Sequence, residues 1–343
     1  MAHGSTRVVT FAARSIDGQV REQTGLLHTP HQPAPAGGYP VVVYGHMTTG
    51  GGPRSAPSTG GPGHPEWRRM SQGDVLCDGL LARGIAVLRP DYEGIGGPGI
   101  HPYLIGASLA ESMTAMMDAR ATFSASLGGA WVAAGHSEGA VAALWASVGT
   151  EPRGAQLRGT AAFAPVTRLD LSIRAARALP LRIDGFGVLP ALIGLMIRGG
   201  AAVDARIADL VAHDGLSARA SAHWADLESL CLTELSASSS WGGLAPAAIG
   251  GPRRRELFEA LDRVFRANDV ANLDGFRAPV RVDAALFDEV APAPLSRALL
   301  RRYRSAGVEL TTRWWPTHHS GTMHARFAPS EAVDWIAARL ASA

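Results

Sequence analysis

The sequence predicts an α/β fold: a mostly parallel sheet flanked by helices, with a helical cap inserted into it. Three observations predict it. Short β-branched apolar runs alternate with stretches of helical period along most of the chain. That alternation breaks once, between about Val166 and Pro279, where the pattern turns mainly helical. The chain has 343 residues, 46% hydrophobic and 18% charged, which suits one large packed domain carrying an insertion. The expected division is 1–165 with 280–343 as the main domain and 166–279 as the cap.

Val41-Val42-Val43-Tyr44 reads as a buried strand running into a Gly-rich loop. Asp74 to Arg83 has helical spacing, with Val75, Leu76, Leu80 and Leu81 on one side. Ile85-Ala86-Val87-Leu88 is a second strand, stopped by Arg89-Pro90-Asp91. Leu104 to Leu127 reads as one long helix. Trp131-Val132-Ala133-Ala134 is a third strand, with a helix over Ala140 to Val148 directly after it. Thr160 to Ala164 and Val280 to Phe287 are the fourth and fifth strands. A helix from Leu295 to Ala306, a sixth strand from Glu309 to Trp314 and a helix from Ser330 to Ala341 complete the pattern. Strands joined by helices make parallel neighbours with both sheet faces covered. A structureless loop as long as 166–279 is improbable in a compact domain, which favours a cap there.

Composition excludes several chemistries. All 32 basic residues are arginine, and no lysine occurs. A P-loop and a Schiff-base enzyme both need that lysine. The net charge of +2 is too balanced for a nucleic-acid footprint. The longest uncharged apolar stretch, Gly185 to Ile197, is too short to span a bilayer, so no integral membrane segment is expected. Met1 to Val20 carries no apolar core or cleavage pattern of a signal peptide, which predicts a cytoplasmic protein. A leader trimmed from the sequence would leave secretion open. Cys77 and Cys231 are too few for a thiolate zinc site. They read as buried small apolar residues, with a single bridge as the alternative.

Gly135-His136-Ser137-Glu138-Gly139 is the only G-x-S-x-G in the chain. It lies between a strand and an alanine-rich helix. A nucleophilic serine needs that setting, because small flanking residues let the backbones pass at a strained turn. The serine needs a base, and the base an orienting acid, in the chain order Ser, Asp or Glu, His. Asp288 follows the fifth strand directly, with Glu289 as the fallback. The loop after the last strand, Pro316-Thr317-His318-His319-Ser320-Gly321, supplies the base: His319, with His318 as rival. Adjacent residues point differently, so only one can meet Ser137. An oxyanion hole would take the backbone N–H of Glu138. Its second donor would come from Gly45-His46-Met47-Thr48-Thr49-Gly50: Thr48, with Met47 second.

Two decoys fail. Gly94-Ile95-Gly96-Gly97-Pro98-Gly99 matches G-x-G-x-x-G, but Pro98 spoils the helix start a dinucleotide site needs. His318, His319 and His324 lack the H-E-x-x-H spacing of a metal site. No cofactor or metal is expected.

These residues also resemble a known family. His46-Met47-Thr48-Thr49-Gly50 with Ala56-Pro57-Ser58 resembles the H-G-T-T-G…A-P-S stretch of the secretory lipase family, bacterial and fungal lipases of the Candida lipase A type. Asp91-Tyr92-Glu93-Gly94-Ile95-Gly96 with His101-Pro102-Tyr103-Leu104 is similar to its D-Y-E-G-L-G…h-P-Y-l segment. Gly135 to Gly139 and His319-Ser320-Gly321-Thr322 are similar to its elbow and histidine loop. The resemblance runs from about Gly37 to the C-terminus and is weak in the cap. It implies an α/β-hydrolase fold with a helical cap, a Ser137-Asp288-His319 triad and ester substrates with a hydrophobic acyl or alkyl group. Tyr92, Leu192 and Met196 are the expected substrate contacts. The sequence departs from the family at Met47, where glycine is usual, at Glu138, where glutamine is common, and at Ala140, where glycine is common.

Three functions follow in order of support. The first is a carboxylic ester hydrolase using an acyl-enzyme. The second is an intracellular acyltransferase, or a lactone-forming or lactone-opening enzyme, passing the same acyl group to an alcohol. The third is a non-catalytic binding protein on this fold, since fold does not determine function.

Overall fold

The computed structural model describes residues 1–178 and 187–341. Eight strands form one sheet: β1 Gly4–Arg14, β2 Val20–Pro30, β3 Tyr39–Gly45, β4 Ala86–Pro90, β5 Leu127–His136, β6 Gln156–Phe163, β7 Val280–Ala285 and β8 Leu310–Trp315. Their order is β1-β2-β4-β3-β5-β6-β7-β8. The six strands β3 to β8 pair in parallel. β1 and β2 form an antiparallel hairpin, and β2 adds antiparallel to β4. The sequence reading missed this hairpin. Its signal is the period-two burial of Val9, Phe11 and Ala13, alternating with exposed Val8, Thr10, Ala12 and Arg14.

The helices that matter for the site are α1 Asp74–Ala82, α2 Gly106–Asp118, α3 Glu138–Val148, α4 Leu169–Arg177, α5 Val188–Val203, α6 Ala205–Ala212, α7 Arg254–Ala267, α8 Ala293–Ser305 and α9 Ala328–Ala341. Alternate residues of one strand face opposite layers. Val42 and Tyr44 of β3 pack with Leu76, Cys77 and Leu80 of α1 and with Ile336 of α9. Val41 and Val43 pack on the other side with Leu109 and Met113 of α2 and Leu144 of α3. The central parallel strands are thus buried on both faces, as parallel pairing requires.

The long helix expected over Leu104 to Leu127 is shorter. It ends at Asp118, and a single turn, Arg120–Phe123, follows. Ser124 is already extended, and Leu127 pairs with Tyr39 as the first residue of β5. Sheet pairing overrides helical periodicity there. Between β6 and β7 the elements are helical among the described residues. Ile193, Leu195, Trp241, Leu257 and Leu261 of that segment belong to the same apolar cluster as Val41 and Trp131. Cys77 and Cys231 are both buried and both free thiols.

A buried ion pair braces the second half of the sheet. Arg281 and Asp283 on β7 are bonded twice, at 2.7 and 2.9 Å. The Trp315 indole N–H donates to the same carboxylate at 2.8 Å. Asp283→Ala would leave the buried Arg281 with only Glu331, 3.6 Å away and half-exposed, as a counter-charge. It should cost about 3–5 kcal/mol in urea unfolding. A loss under about 1 kcal/mol would show that the pair contributes little.

Candidate active site

β5 delivers Ser137 at its C-terminal end, and α3 begins at the next residue. Ser137 has φ 58° and ψ −115°, a region that side chains enter only under strain of roughly 1–3 kcal/mol. The Ser137 N–H donates to the Phe163 carbonyl at 2.9 Å, which anchors the turn to β6. The glycines explain the close packing. A Cβ on Gly139 would sit 2.0 Å from the Gly45 carbonyl oxygen, and one on Gly135 would sit 2.1 Å from that of Gly139. The Ser137 hydroxyl therefore stands over a helix N-terminus, where free N–H groups favour negative charge.

Past β7 the chain keeps its pairing for two residues. Leu286 N–H bonds the Trp315 carbonyl, and Phe287 N–H bonds that of Thr317. Asp288 then turns inward. Its Oδ1 accepts from the N–H groups of Val290 at 2.9 Å and Ala291 at 2.6 Å. His319 Nδ1 stands 2.9 Å from both Asp288 oxygens. An ionised carboxylate only accepts, so Nδ1 carries the proton and Nε2 offers a lone pair. Nε2 is 2.8 Å from Ser137 Oγ. This arrangement can draw a proton from the serine hydroxyl and stabilise the imidazolium that results.

Neighbours hold His319 from two sides. Glu289, the fallback acid, instead accepts the His319 backbone N–H at 3.0 Å. His136 Nε2–H donates to the His319 carbonyl at 3.2 Å. Burial and the nearby His319 hold His136 well below the usual imidazole range, so it is neutral. His318 is exposed, and of the two histidines only His319 meets Ser137.

The loop after β3 runs alongside this turn. Gly45 pairs with Gly135, and the His46 carbonyl lies against Gly139. Glu138 is the first residue of α3, so its N–H has no partner within the helix. Thr48 and Met47 are buried in the loop, and Thr48 Oγ1 is 2.8 Å from the Tyr103 hydroxyl. The Tyr92 hydroxyl donates to the His46 carbonyl at 3.0 Å, and its ring stacks on His46 at 4.4 Å. His46 Nδ1–H donates to the Met47 carbonyl at 2.6 Å. The Thr49 carbonyl accepts from Leu232 N–H, which ties the loop to the segment between β6 and β7.

Tyr92, expected at the substrate, has no exposure at all. Its ring lies between His46 and His101, so it supports the loop from beneath. Leu192 is half-buried and Met196 nearly buried on α5. Gly185 and Phe186, the start of the apolar run, lie outside the described residues. Sequence reasoning gave no role to His101, Tyr103 or His136. The only signal was the His101-Pro102-Tyr103 run, which carried a resemblance without a chemistry. At Gly94 the chain makes a positive-φ turn against His101, and no helix starts before Gly106. Among the described residues no His, Cys, Asp and Glu side chains cluster to hold a metal, and no helix is long and apolar enough to cross a membrane.

The buried histidines make stability depend on pH. Burial pushes His28 and His46 down to about 3, and His136 well below its usual value. The unfolded chain binds protons at these sites from about pH 6.5 downward, while the folded chain does not. Stability should therefore be full above about pH 6.5 and fall as pH drops toward 3. Each site adds a slope of up to ~1.4 kcal/mol per pH unit. Urea midpoints measured across that range should show this, and His28→Gln should reduce the slope by about one proton. A flat profile would contradict the reading.

The family model of secretory lipases matches residues 70–343. This overturns the cytoplasmic expectation and points to an extracellular protein. No curated protein matches the sequence. Among solved structures the chain is similar to lipase A of Candida antarctica in its closed state. The TM-score is 0.76 at 13% identity, over 97% of this chain and 78% of that one. It is also similar to the rice cell wall degrading esterase LipA of Xanthomonas oryzae. There the TM-score is 0.72 at 17% identity, over 98% of this chain and 90% of that one. At these identities the likeness is one of fold, the α/β-hydrolase fold.

Proposed function

This chain belongs to the secretory lipase family, and we propose that it cleaves carboxylic esters through an acyl-enzyme on Ser137. One observation carries the reading: His319 bridges Ser137 and Asp288 at 2.8 and 2.9 Å with its proton held on the Asp288 side. Ser137 Oγ attacks the ester carbonyl while His319 Nε2 takes the hydroxyl proton. The oxygen that becomes negative is met by the backbone N–H of Glu138 and that of Thr48 or Met47. The tetrahedral intermediate collapses, and His319 returns the proton to the departing alcohol. Water, deprotonated by the same nitrogen, then attacks the acyl-serine and releases the acid. Asp288 stays ionised throughout and stabilises the imidazolium.

Residues 1–165 with 280–343 form the catalytic domain in this reading, and 166–279 form the cap. Ser137→Ala should abolish turnover of a p-nitrophenyl ester while leaving the unfolding midpoint nearly unchanged. His319→Ala should be as inactive, and His318→Ala close to wild type. Residual turnover above a few per cent in Ser137→Ala would sink the assignment. Partition of a labelled acyl group between water and added alcohol separates hydrolysis from acyl transfer.

Leu192 and Met196 of α5 are the cap residues we assign to the acyl or alkyl chain. Each buried methylene of substrate should add about 0.8 kcal/mol of binding until the pocket is full. Selectivity should rise with chain length and then stop. Leu192→Ala or Met196→Ala should move the stopping point and spare an acetyl ester. Equal loss on acetyl and long-chain esters, with earlier melting, would make these residues structural.

A further inference from the structure

The residue after Ser137 is acidic, and its side chain is fully buried. Glu138 Oε1 lies 2.8 Å from Nε2 of His101, and neither side chain has any exposure. The other nitrogen of His101, Nδ1, lies 2.9 Å from the Glu93 carbonyl oxygen. A carbonyl oxygen only accepts, so Nδ1 carries a proton. A neutral imidazole then has none left for Nε2. Two lone pairs would face each other at 2.8 Å, one of them on an ionised carboxylate whose Oε2 is buried without a partner. Such an arrangement is costly in a dry interior.

We propose that His101 and Glu138 hold one proton in common, so that the acidic side chain beside the reacting oxygen carries no net charge into the site. The proton sits on Nε2 as imidazolium with carboxylate, or on Oε1 as carboxylic acid with imidazole. Either way the pair is neutral. His101 is a positioning residue: it turns the carboxyl away and cancels its charge. The proposal rests on the reading of Glu138 N–H as an oxyanion donor. A bare carboxylate on that same residue would oppose the negative charge that the donor stabilises.

The titratable and charged groups around the pair are neutral or bound to other partners. Tyr92 and Tyr103 flank His101 at 6.1 and 5.9 Å between ring centres, and burial pushes both phenols well up. His46 lies beyond Tyr92 and is neutral, at about 3. The Glu93 carboxylate is taken by Ser108 and by the N–H of Ile16. Arg89 is bound to Asp74, and Asp91 to Thr24 and Ser58. Loss of the shared proton places a negative charge beside the oxyanion. kcat then falls with little change in KM.

The test compares kcat and KM against pH for wild type, Glu138→Gln, His101→Phe and the double variant. Phe keeps a ring between the tyrosines and removes both nitrogens. His101→Phe should lose at least about tenfold in kcat. The double variant should recover most of that loss, because a glutamine amide has no charge to strand. Any fall in kcat that accompanies loss of the shared proton in wild type should be missing in Glu138→Gln. A double variant no better than His101→Phe, or one alkaline limb common to wild type and Glu138→Gln, would overturn the proposal. NMR of labelled wild type reads the proton without any ester: His101 Nε2 or the Glu138 carboxyl should be protonated at neutral pH. Signals showing both deprotonated would also overturn it. Absence of ester turnover in wild type would instead defeat the hydrolase reading, and the NMR would still judge the pair.

Discussion

The close approach of three backbones at Gly45, Gly135 and Gly139 is the constraint on which the rest of the site depends. β3, β5 and the first turn of α3 meet there with no room for a Cβ. That contact is what lets the chain reverse at Ser137 with a positive φ and enter a helix at once. Strain at such a residue persists only where its surroundings over-determine it. Here the bond from Ser137 N–H to β6 and the buried apolar face of α3 supply that determination. The serine hydroxyl, the unpaired N–H groups of the helix and the start of the loop after β3 are brought together by one packing event.

Around this point the protein builds a shell of polar groups that is unusually rich in histidine and tyrosine. His46, Tyr92 and His101 form a stacked column under the loop after β3, and the Tyr103 ring is tilted against its end. His136 and Glu289 grip the backbone of His319 from opposite sides. His46, Tyr92 and His136 act in these contacts as fixed donors or acceptors, which requires that each keep one protonation state. Burial enforces that for His46 and His136 by disfavouring the charged imidazole. The same burial makes acid a threat to the fold. Orientation at the site and acid lability thus have a common origin.

Much of the parallel sheet was legible, because a buried strand between helices leaves a short β-branched run in the sequence. The errors have physical reasons. Leu104 to Leu127 looked continuous because helical spacing alone does not reveal where a strand must begin, and Leu127 is claimed by Tyr39. The N-terminal hairpin alternates with one face exposed, and polar residues such as Thr10 interrupt its apolar ones, so it lacks the unbroken β-branched run of a buried strand. Tyr92 looked like a substrate contact because it lies in a motif near the loop. Its ring is consumed by stacking between two histidines that the sequence places far from each other, His46 and His101.

By itself the sequence determined the order of the candidate site residues along the chain. One strained-turn motif, one acid after a late strand and one histidine loop follow each other in a sequence of strands and helices that admits a parallel sheet. Those are local patterns, and local patterns survive without knowledge of neighbours. Only the tertiary structure decided which of two adjacent histidines turns inward, that Asp288 faces His319 while Glu289 holds its backbone, and that Glu138 is paired with His101. These choices depend on side-chain direction and on contacts between residues 30 to 182 positions apart in the chain. They are made by packing, where each buried donor must find an acceptor, and no periodicity along the chain records which one it finds.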